Sequence, residues 1–235
     1  MIKGILFDKD GTLLEFFTLW HGIIGKVLSE LEIHYAIQKE TIEELKQASG
    51  FRKNKFEKES RIQYLATSQI ADMWYEIINK VPNQITYHEL KNLFEVKALS
   101  DNLEIKALEG VRELLAYLKV NGYTLGVATA DTKLSTCNGL NKAGIIDYFD
   151  YIGCNEEGIN PKPSPDMAFQ FCHKMNLKTD ELLIIGDSVT DMEFADNAKA
   201  QFIGIKTDYN DYQEFTKHNK SAVDKIQDIV QIMAL

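Results

Sequence analysis

Asp8 and Asp10 stand two residues apart in Phe7-Asp8-Lys9-Asp10-Gly11-Thr12, directly after the apolar run Ile2-Lys3-Gly4-Ile5-Leu6. The shortness of that run and its abrupt polar stop favour a buried strand over a helix. Side chains of an extended chain alternate with a period of two, so Asp8 and Asp10 project to one side. That places a pair of carboxylates at the carboxyl end of a strand, where open α/β sheets hold their ligands. Such a pair repels itself unless a cation or a shared proton intervenes, and a divalent metal is the simplest resolution. Gly11 lets the backbone turn sharply or approach a ligand, and Thr12 adds a hydroxyl. Taken alone, Asp-Lys-Asp-Gly also fits an ordinary turn.

Further polar clusters follow other strand-like runs. Tyr123 to Ala128 ends at Thr129-Ala130-Asp131, and Leu182 to Ile185 runs into Gly186-Asp187-Ser188-Val189-Thr190-Asp191. Between them, Asn160-Pro161-Lys162-Pro163-Ser164-Pro165 holds three of the chain's four prolines and presents Lys162. Singly, Thr129 can merely end a strand, Lys162 can be a solvated loop charge, and Asp187 can cap a helix. In a parallel sheet, however, all strand carboxyl ends face one edge, so Asp8, Asp10, Thr129, Lys162, Asp187 and Asp191 can converge. Their joint occurrence in this order favours a site.

The elements that must position these groups fall into two kinds. From about Phe16 to Ala98 the sequence reads as helices. Trp20, Ile23, Ile24, Val27, Leu28 and Leu31 share one face, and Thr41 with Glu44 resembles a capping box opening a second helix. Lys55 to Lys80 reads as one long amphipathic helix stopped by Pro82, and Tyr87 to Val96 as a fourth. Their apolar stripes are those of a helix-bundle core. After Asp101 strands and helices alternate: helix Gly110 to Lys119, strand Tyr123 to Ala128, helix Leu134 to Ala143 and strand Tyr148 to Cys154. Helix Asp166 to Met175, strand Leu182 to Ile185, helix Met192 to Lys199 and strand Phe202 to Ile205 follow. Val223, Ile226, Ile229, Val230 and Met233 mark a final amphipathic helix. Such alternation implies a mostly parallel sheet covered on both faces. The expected domains are an α/β core of residues 1–14 and 100–235, interrupted by an inserted all-α domain of residues 15–99.

Bulk properties narrow the class. In 235 residues, 45% hydrophobic and 26% charged is the balance of an ordinary soluble globular protein. A net charge of −9 argues against a nucleic-acid footprint but not against an anionic substrate, since a metal and a lysine or two set the local field. No apolar stretch is long enough to span a bilayer, and the N-terminal run stops at Asp8 without a signal-peptide pattern. Cys137, Cys154 and Cys172 form no CxxC pair, as expected of free thiols in a reducing cytoplasm. The histidines show no HExxH spacing, so zinc is not expected.

The order Asp-Lys-Asp-Gly-Thr, a strand-terminal Thr129, Lys162 in Lys-Pro-Ser-Pro-Asp, and Gly-Asp-Ser-Val-Thr-Asp resembles the haloacid dehalogenase-like (HAD) hydrolase superfamily. The helical insertion is similar to the cap of its phosphoglycolate phosphatase-like branch. The resemblance implies a Rossmann-like core with a cap that closes over the site. It implies Asp8 as a nucleophile that becomes an aspartyl-phosphate, and Asp10 as the acid and base for leaving alcohol and water. Mg²⁺ would be held by the Asp8 carboxylate, the Asp10 backbone carbonyl and the Asp187 carboxylate, with Asp191 supporting a metal water or Lys162. Thr129 and Lys162 would hold phosphoryl oxygens. The implied activity is cytoplasmic, Mg²⁺-dependent hydrolysis of a small phosphorylated metabolite. A phosphomutase of the β-phosphoglucomutase kind uses the same aspartates, and a non-catalytic metal-binding interaction protein is a third possibility. Asp10 argues against dehalogenation, because the dehalogenases lack it. Many relatives carry Asn after the strand-terminal Thr, whereas Ala130-Asp131 follow here. An extra unpaired acid there would disfavour a second carboxylate on the substrate.

Substrate choice is expected to lie in the insertion, where Gly50-Phe51-Arg52-Lys53-Asn54-Lys55 forms a short basic cluster. Arg52 or Lys53 would reach the non-phosphate end of the substrate, although the cluster also fits an ordinary solvated turn. If so, Arg52→Ala and Lys53→Ala should reorder relative kcat/KM across a panel of phosphate esters. An unchanged profile would remove both residues from the site.

Overall fold

The computed structural model describes residues 1–52, 55–56, 60, 62, 65, 67–80, 85–100, 103–154, 156–206 and 209–233. In chain order, β1 (Gly4–Phe7) precedes α1 (Phe16–Ile33), α2 (Lys39–Ala48), β2 (Phe51–Arg52), β3 (Lys55–Phe56), α3 (Thr67–Ile78) and α4 (Tyr87–Ala98). Then come α5 (Val111–Val120), β4 (Thr124–Ala128), α6 (Lys133–Lys142), β5 (Tyr151–Gly153), α7 (Asp166–Met175) and β6 (Leu182–Gly186). The last elements are α8 (Val189–Ala198), β7 (Gln201–Ile205), α9 (Tyr209–Lys217), β8 (Ser221–Val223) and α10 (Ile229–Met233). The chain divides into two compact units, Met1–Glu15 with Ile105–Leu235, and Phe16–Glu104.

The first unit is built on a six-stranded sheet in the order β5-β4-β1-β6-β7-β8, every neighbouring pair parallel. Strands covered on both faces read as continuous apolar runs, which is why β1 and β6 carry no alternation and are buried throughout. Register is fixed on both sides of β1, with Phe7 opposite Val127 of β4 and Ile185 of β6. Phe171 of α7 sits where neighbouring strands lack side chains. A Cβ on Gly4 would lie 2.9 Å from its ring, and one on Gly126 3.0 Å. Burying a ring of this size contributes about 1.5–3 kcal/mol.

The second unit has its own core. Trp74 and Phe94 are fully buried and meet edge to face at 5.0 Å, joined by Ile24, Val27, Leu45 and Leu90. The Trp74 indole N–H donates to Ser49 Oγ at 2.8 Å, so the buried ring keeps its polar end satisfied.

Several expected boundaries are corrected. The capping box expected at Thr41 and Glu44 does not open α2. That helix begins at Lys39 after Gln38, with no side-chain cap, and Thr41 is buried inside it. The capping box stands instead at Thr86 and Glu89, where α4 begins. The helix expected over Lys55–Lys80 does not run that length: Lys55–Phe56 pairs antiparallel with Phe51–Arg52, and α3 starts only at Thr67. Gly50, at φ +67°, turns the chain into that hairpin with Ser60 against it. The expected C-terminal helix is replaced by β8, a 3₁₀ turn at Ile226–Asp228, and a short α10. Val223, Ile226 and Ile229 are nonetheless all buried, because a strand end followed by a turn can bury the same spacing. α9 had no sequence expectation; its buried Phe215 stacks edge to face on Phe202 at 5.2 Å. Among the described residues no helix is long and apolar enough to cross a membrane.

Candidate active site

Three adjacent strands deliver two acids and a threonine. Asp8 lies one residue beyond the Phe7 pairing, and its N–H donates to the Ile185 carbonyl at 2.8 Å, continuing the ladder. Asp187 lies two residues beyond Ile185, and Thr129 two beyond Val127, with the Thr129 N–H donating to the Gly153 carbonyl. All three therefore emerge at one sheet edge, as parallel topology requires.

Gly11 is what lets the first loop come this close. Its φ is +88°, and a Cβ there would lie 2.2 Å from Asp187 Oδ2. The buried Thr12 hydroxyl lies 3.4 Å from Asp187 Oδ1, a long hydrogen bond. Asp191 comes from the first turn of α8 and is 2% exposed. Its Oδ2 accepts the Ser188 hydroxyl at 2.6 Å and the Ser188 N–H at 3.2 Å, closing a capping box at the helix start. Its Oδ1 accepts Lys162 Nζ at 2.6 Å. Helix capping thus falls to Ser188 and Asp191 and not to Asp187.

Lys162 Nζ also donates to Asp8 Oδ1, at 2.5 Å, so one ammonium bridges acids from two elements. Its loop is tied down on both sides. Asp166 accepts the backbone and side-chain N–H groups of Asn160, both at 2.9 Å, and the Ser164 hydroxyl at 2.8 Å. Asn197 of α8 donates to the Pro163 carbonyl at 2.9 Å. Burial pushes the Asp8 carboxyl up to about 7, against the pull of Lys162, with Asp191 adding to the rise. For Lys162, burial works against the charge, but Asp191 and Asp8 more than offset it and hold it above the usual lysine range.

Carboxylate oxygens of Asp8, Asp187 and Asp191 lie within 4.8 Å of one another. Three hard oxygen donors facing one ammonium leave an excess of negative charge in a small space. That donor set suits a divalent cation such as Mg²⁺.

Asp10 is held differently. Both its oxygens face Lys9 Nζ, at 3.1 and 2.9 Å, and the Lys9 side chain is 1% exposed. Lys9 also bonds Asp131 Oδ2 at 3.1 Å. Burial raises the Asp10 carboxyl even against Lys9. Burial would also raise Asp131, but Lys9 and Ser135 outweigh it and hold it low. Asp131 is therefore a paired acid, which removes the objection to carboxylated substrates drawn from the sequence. Neither Lys9 nor its partnership with Asp131 was foreseen. The available signal was the lysine itself, flanked by acids at the end of a buried strand. Of the expected specificity residues, Lys53 and the side chain of Arg52 lie outside the described residues.

A parallel α/β sheet with carboxylates, a lysine and a threonine gathered at its carboxyl edge defines a Rossmann-like enzyme class. The sequence pattern of the haloacid dehalogenase-like hydrolases matches residues 5–205, and the chain belongs to that family. It is 29% identical over 131 residues to a phosphoglycolate phosphatase of Nitrosococcus oceani, covering 55% of this chain and 58% of that one. It thus spans little more than half the length of that relative, and 48% of a second phosphoglycolate phosphatase, from Nitrosospira multiformis. Against pyrophosphatase PpaX of Bacillus cereus, identity is 25% over 236 residues, covering 99% and 97% of the two chains. Among solved structures, a predicted phosphoglycolate phosphatase from Haemophilus somnus superposes with a TM-score of 0.71 at 21% identity, covering 99% and 98%. One assigned as a β-phosphoglucomutase, from Thermotoga maritima, gives 0.70 at 17%, covering 99% of each chain. These two likenesses speak to fold.

The raised Asp8 carboxyl has a consequence for metal-free protein. Its folded value, about 7, exceeds its ordinary 3.8, so the native state holds the proton more tightly than the unfolded chain. Stability from this group is therefore lost as pH rises between those values, by at most about 1.4 kcal/mol per unit. Asp8→Asn, which cannot ionise, should gain stability relative to wild type as pH rises from 5 to 8. Urea unfolding in EDTA measures this, and a stability difference independent of pH would contradict it.

Proposed function

We propose that this chain is a Mg²⁺-dependent phosphatase that hydrolyses a phosphate monoester of a small metabolite through an aspartyl-phosphate on Asp8. The observation that carries it is the convergence of Asp8, Asp187, Asp191 and Lys162 at one sheet edge. Family membership supports it, and so do the names of the relatives, which act on phosphoglycolate and pyrophosphate.

In this mechanism an Asp8 oxygen attacks phosphorus while Asp10 protonates the departing alcohol. Asp10 then takes a proton from water, which attacks the phosphoenzyme and releases inorganic phosphate. Lys162 and Thr129 hold the equatorial phosphoryl oxygens as charge redistributes among them. Asp191 keeps the Lys162 ammonium at the edge of the site. The Asp8 and Asp187 carboxylates and the Asp10 backbone carbonyl would hold Mg²⁺. The ion supplies the positive charge that lets an anionic nucleophile and an anionic phosphoryl group approach.

Residues 15–99 serve in this proposal as the cap that selects the substrate. Cys137, Cys154 and Cys172 are all unbridged, which agrees with work in a reducing cytoplasm. A phosphomutase would use the same aspartates but would need a bisphosphate activator and return an isomerised ester.

Phosphoglycolate, pyrophosphate and a panel of sugar phosphates should be offered with Mg²⁺ to wild type and Asp8→Asn. Wild type should release inorganic phosphate from at least one of them, with loss of turnover in EDTA and recovery on adding Mg²⁺. Asp8→Asn should lose on the order of 10³-fold or more, because an amide is a poor nucleophile. Full activity in that variant would exclude the covalent route.

A further inference from the structure

Lys9 is among the largest fully buried side chains of the protein, and among the described residues its ammonium is met by acids. It has two: both oxygens of Asp10, and Asp131 from the loop after β4. Its own peptide is fixed too, since the Lys9 carbonyl accepts the N–H groups of Leu13 and Leu14, each at 2.9 Å. Asp131 in turn is held on every side. Its Oδ2 accepts the Ser135 hydroxyl at 2.8 Å, its Oδ1 accepts the Thr132 N–H at 2.9 Å, and its own N–H donates to Thr129 Oγ1 at 3.2 Å. A rigid chain of contacts therefore runs from α6, through Asp131 and Lys9, to the Asp10 carboxylate.

We infer that Lys9 and Asp131 are positioning residues that fix the Asp10 carboxyl group for proton transfer to the leaving group. This rests on the phosphatase reading given above. Asp10 follows the strand, in a loop that Gly11 turns sharply, so strand pairing alone does not set its side chain. Two oxygens bound by one buried ammonium remove the remaining rotamer freedom. One ammonium serving only Asp10 would neutralise it, whereas sharing Lys9 with Asp131 leaves the trio with one net negative charge. Fixed geometry of this kind matters for general acid catalysis, where a misplacement of about 1 Å can cost about 10²-fold.

Proton donation matters most when the leaving group is a poor anion, so the defect should depend on the ester. Removing Lys9 alone would strand two buried carboxylates and could unfold the protein. The informative variant is therefore Lys9→Met with Asp131→Asn, which removes both charges while keeping similar volumes. Values of kcat/KM report steps up to departure of the leaving group, free of the later hydrolysis. With an alkyl phosphate, kcat/KM of the double variant should fall on the order of 10²-fold, the scale of general acid catalysis. With p-nitrophenyl phosphate, whose leaving group is stable as an anion, it should stay within about threefold. Thermal unfolding should show the double variant to be folded and more stable than Lys9→Met alone.

An equal loss on both esters, or no loss on either, would overturn this inference while leaving the phosphatase reading standing, provided Asp8→Asn remains silent. A wild type that with Mg²⁺ releases phosphate from neither these esters nor phosphoglycolate, pyrophosphate and the sugar phosphates would remove the two together.

Discussion

Everything at the carboxyl edge of the sheet depends on crowding like charges and then balancing them. Asp8, Asp187 and Asp191 stand close enough that their mutual repulsion must be carried by the rest of the fold. One fixed ammonium, Lys162, partly offsets it, and it reaches two of those acids from a loop anchored by Asp166 and Asn197. What it leaves uncompensated is negative charge that a divalent cation would answer. In the proposed reading, the same arrangement that costs stability prepares the site for a cation, a familiar relation between strain and function.

The sheet makes this tolerable by holding in place the backbone from which the charges project. Parallel pairing on both sides of β1 fixes the starting points of Asp8, Thr129 and Asp187. Two glycines then permit approaches that no other residue would allow. At Gly11 a side chain would strike Asp187, and at Gly186 a Cβ would lie 2.4 Å from Asp191. A second charged trio, Asp10, Lys9 and Asp131, lies beside the first but carries its cation within it. The two trios differ in what they leave open: the first has charge to spare for a ligand, the second is closed on itself and holds one carboxylate still.

Sequence patterns carried the sheet and the site further than the helices. Buried strands such as Leu182–Gly186 announce themselves as apolar runs ending in a polar cluster, and the parallel rule then gathers those clusters at one edge. Helix limits were less legible. Thr41 and Glu44 have the spacing of a capping box, yet burial of Thr41 in the second unit outweighed the local preference. At Lys55–Phe56 the apolar periodicity suggested a helix, whereas these residues pair antiparallel with Phe51–Arg52. The Lys9–Asp131 pair was hidden for another reason: it joins residues 122 positions apart, and no local pattern encodes a partner at that distance.

Binding of Mg²⁺ to the protein alone tests the central claim most directly, because it asks about the carboxylate cluster without requiring a substrate. Thermal unfolding of wild type and of Asp187→Asn can be followed as MgCl₂ is raised from zero at fixed ionic strength. The wild type should be stabilised progressively, by about 2.7 kcal/mol once the ion stands at one hundred times its dissociation constant. Asp187→Asn should require far more Mg²⁺ for the same gain. Equal stabilisation of both proteins, or none of the wild type, would show that these acids do not gather around a cation.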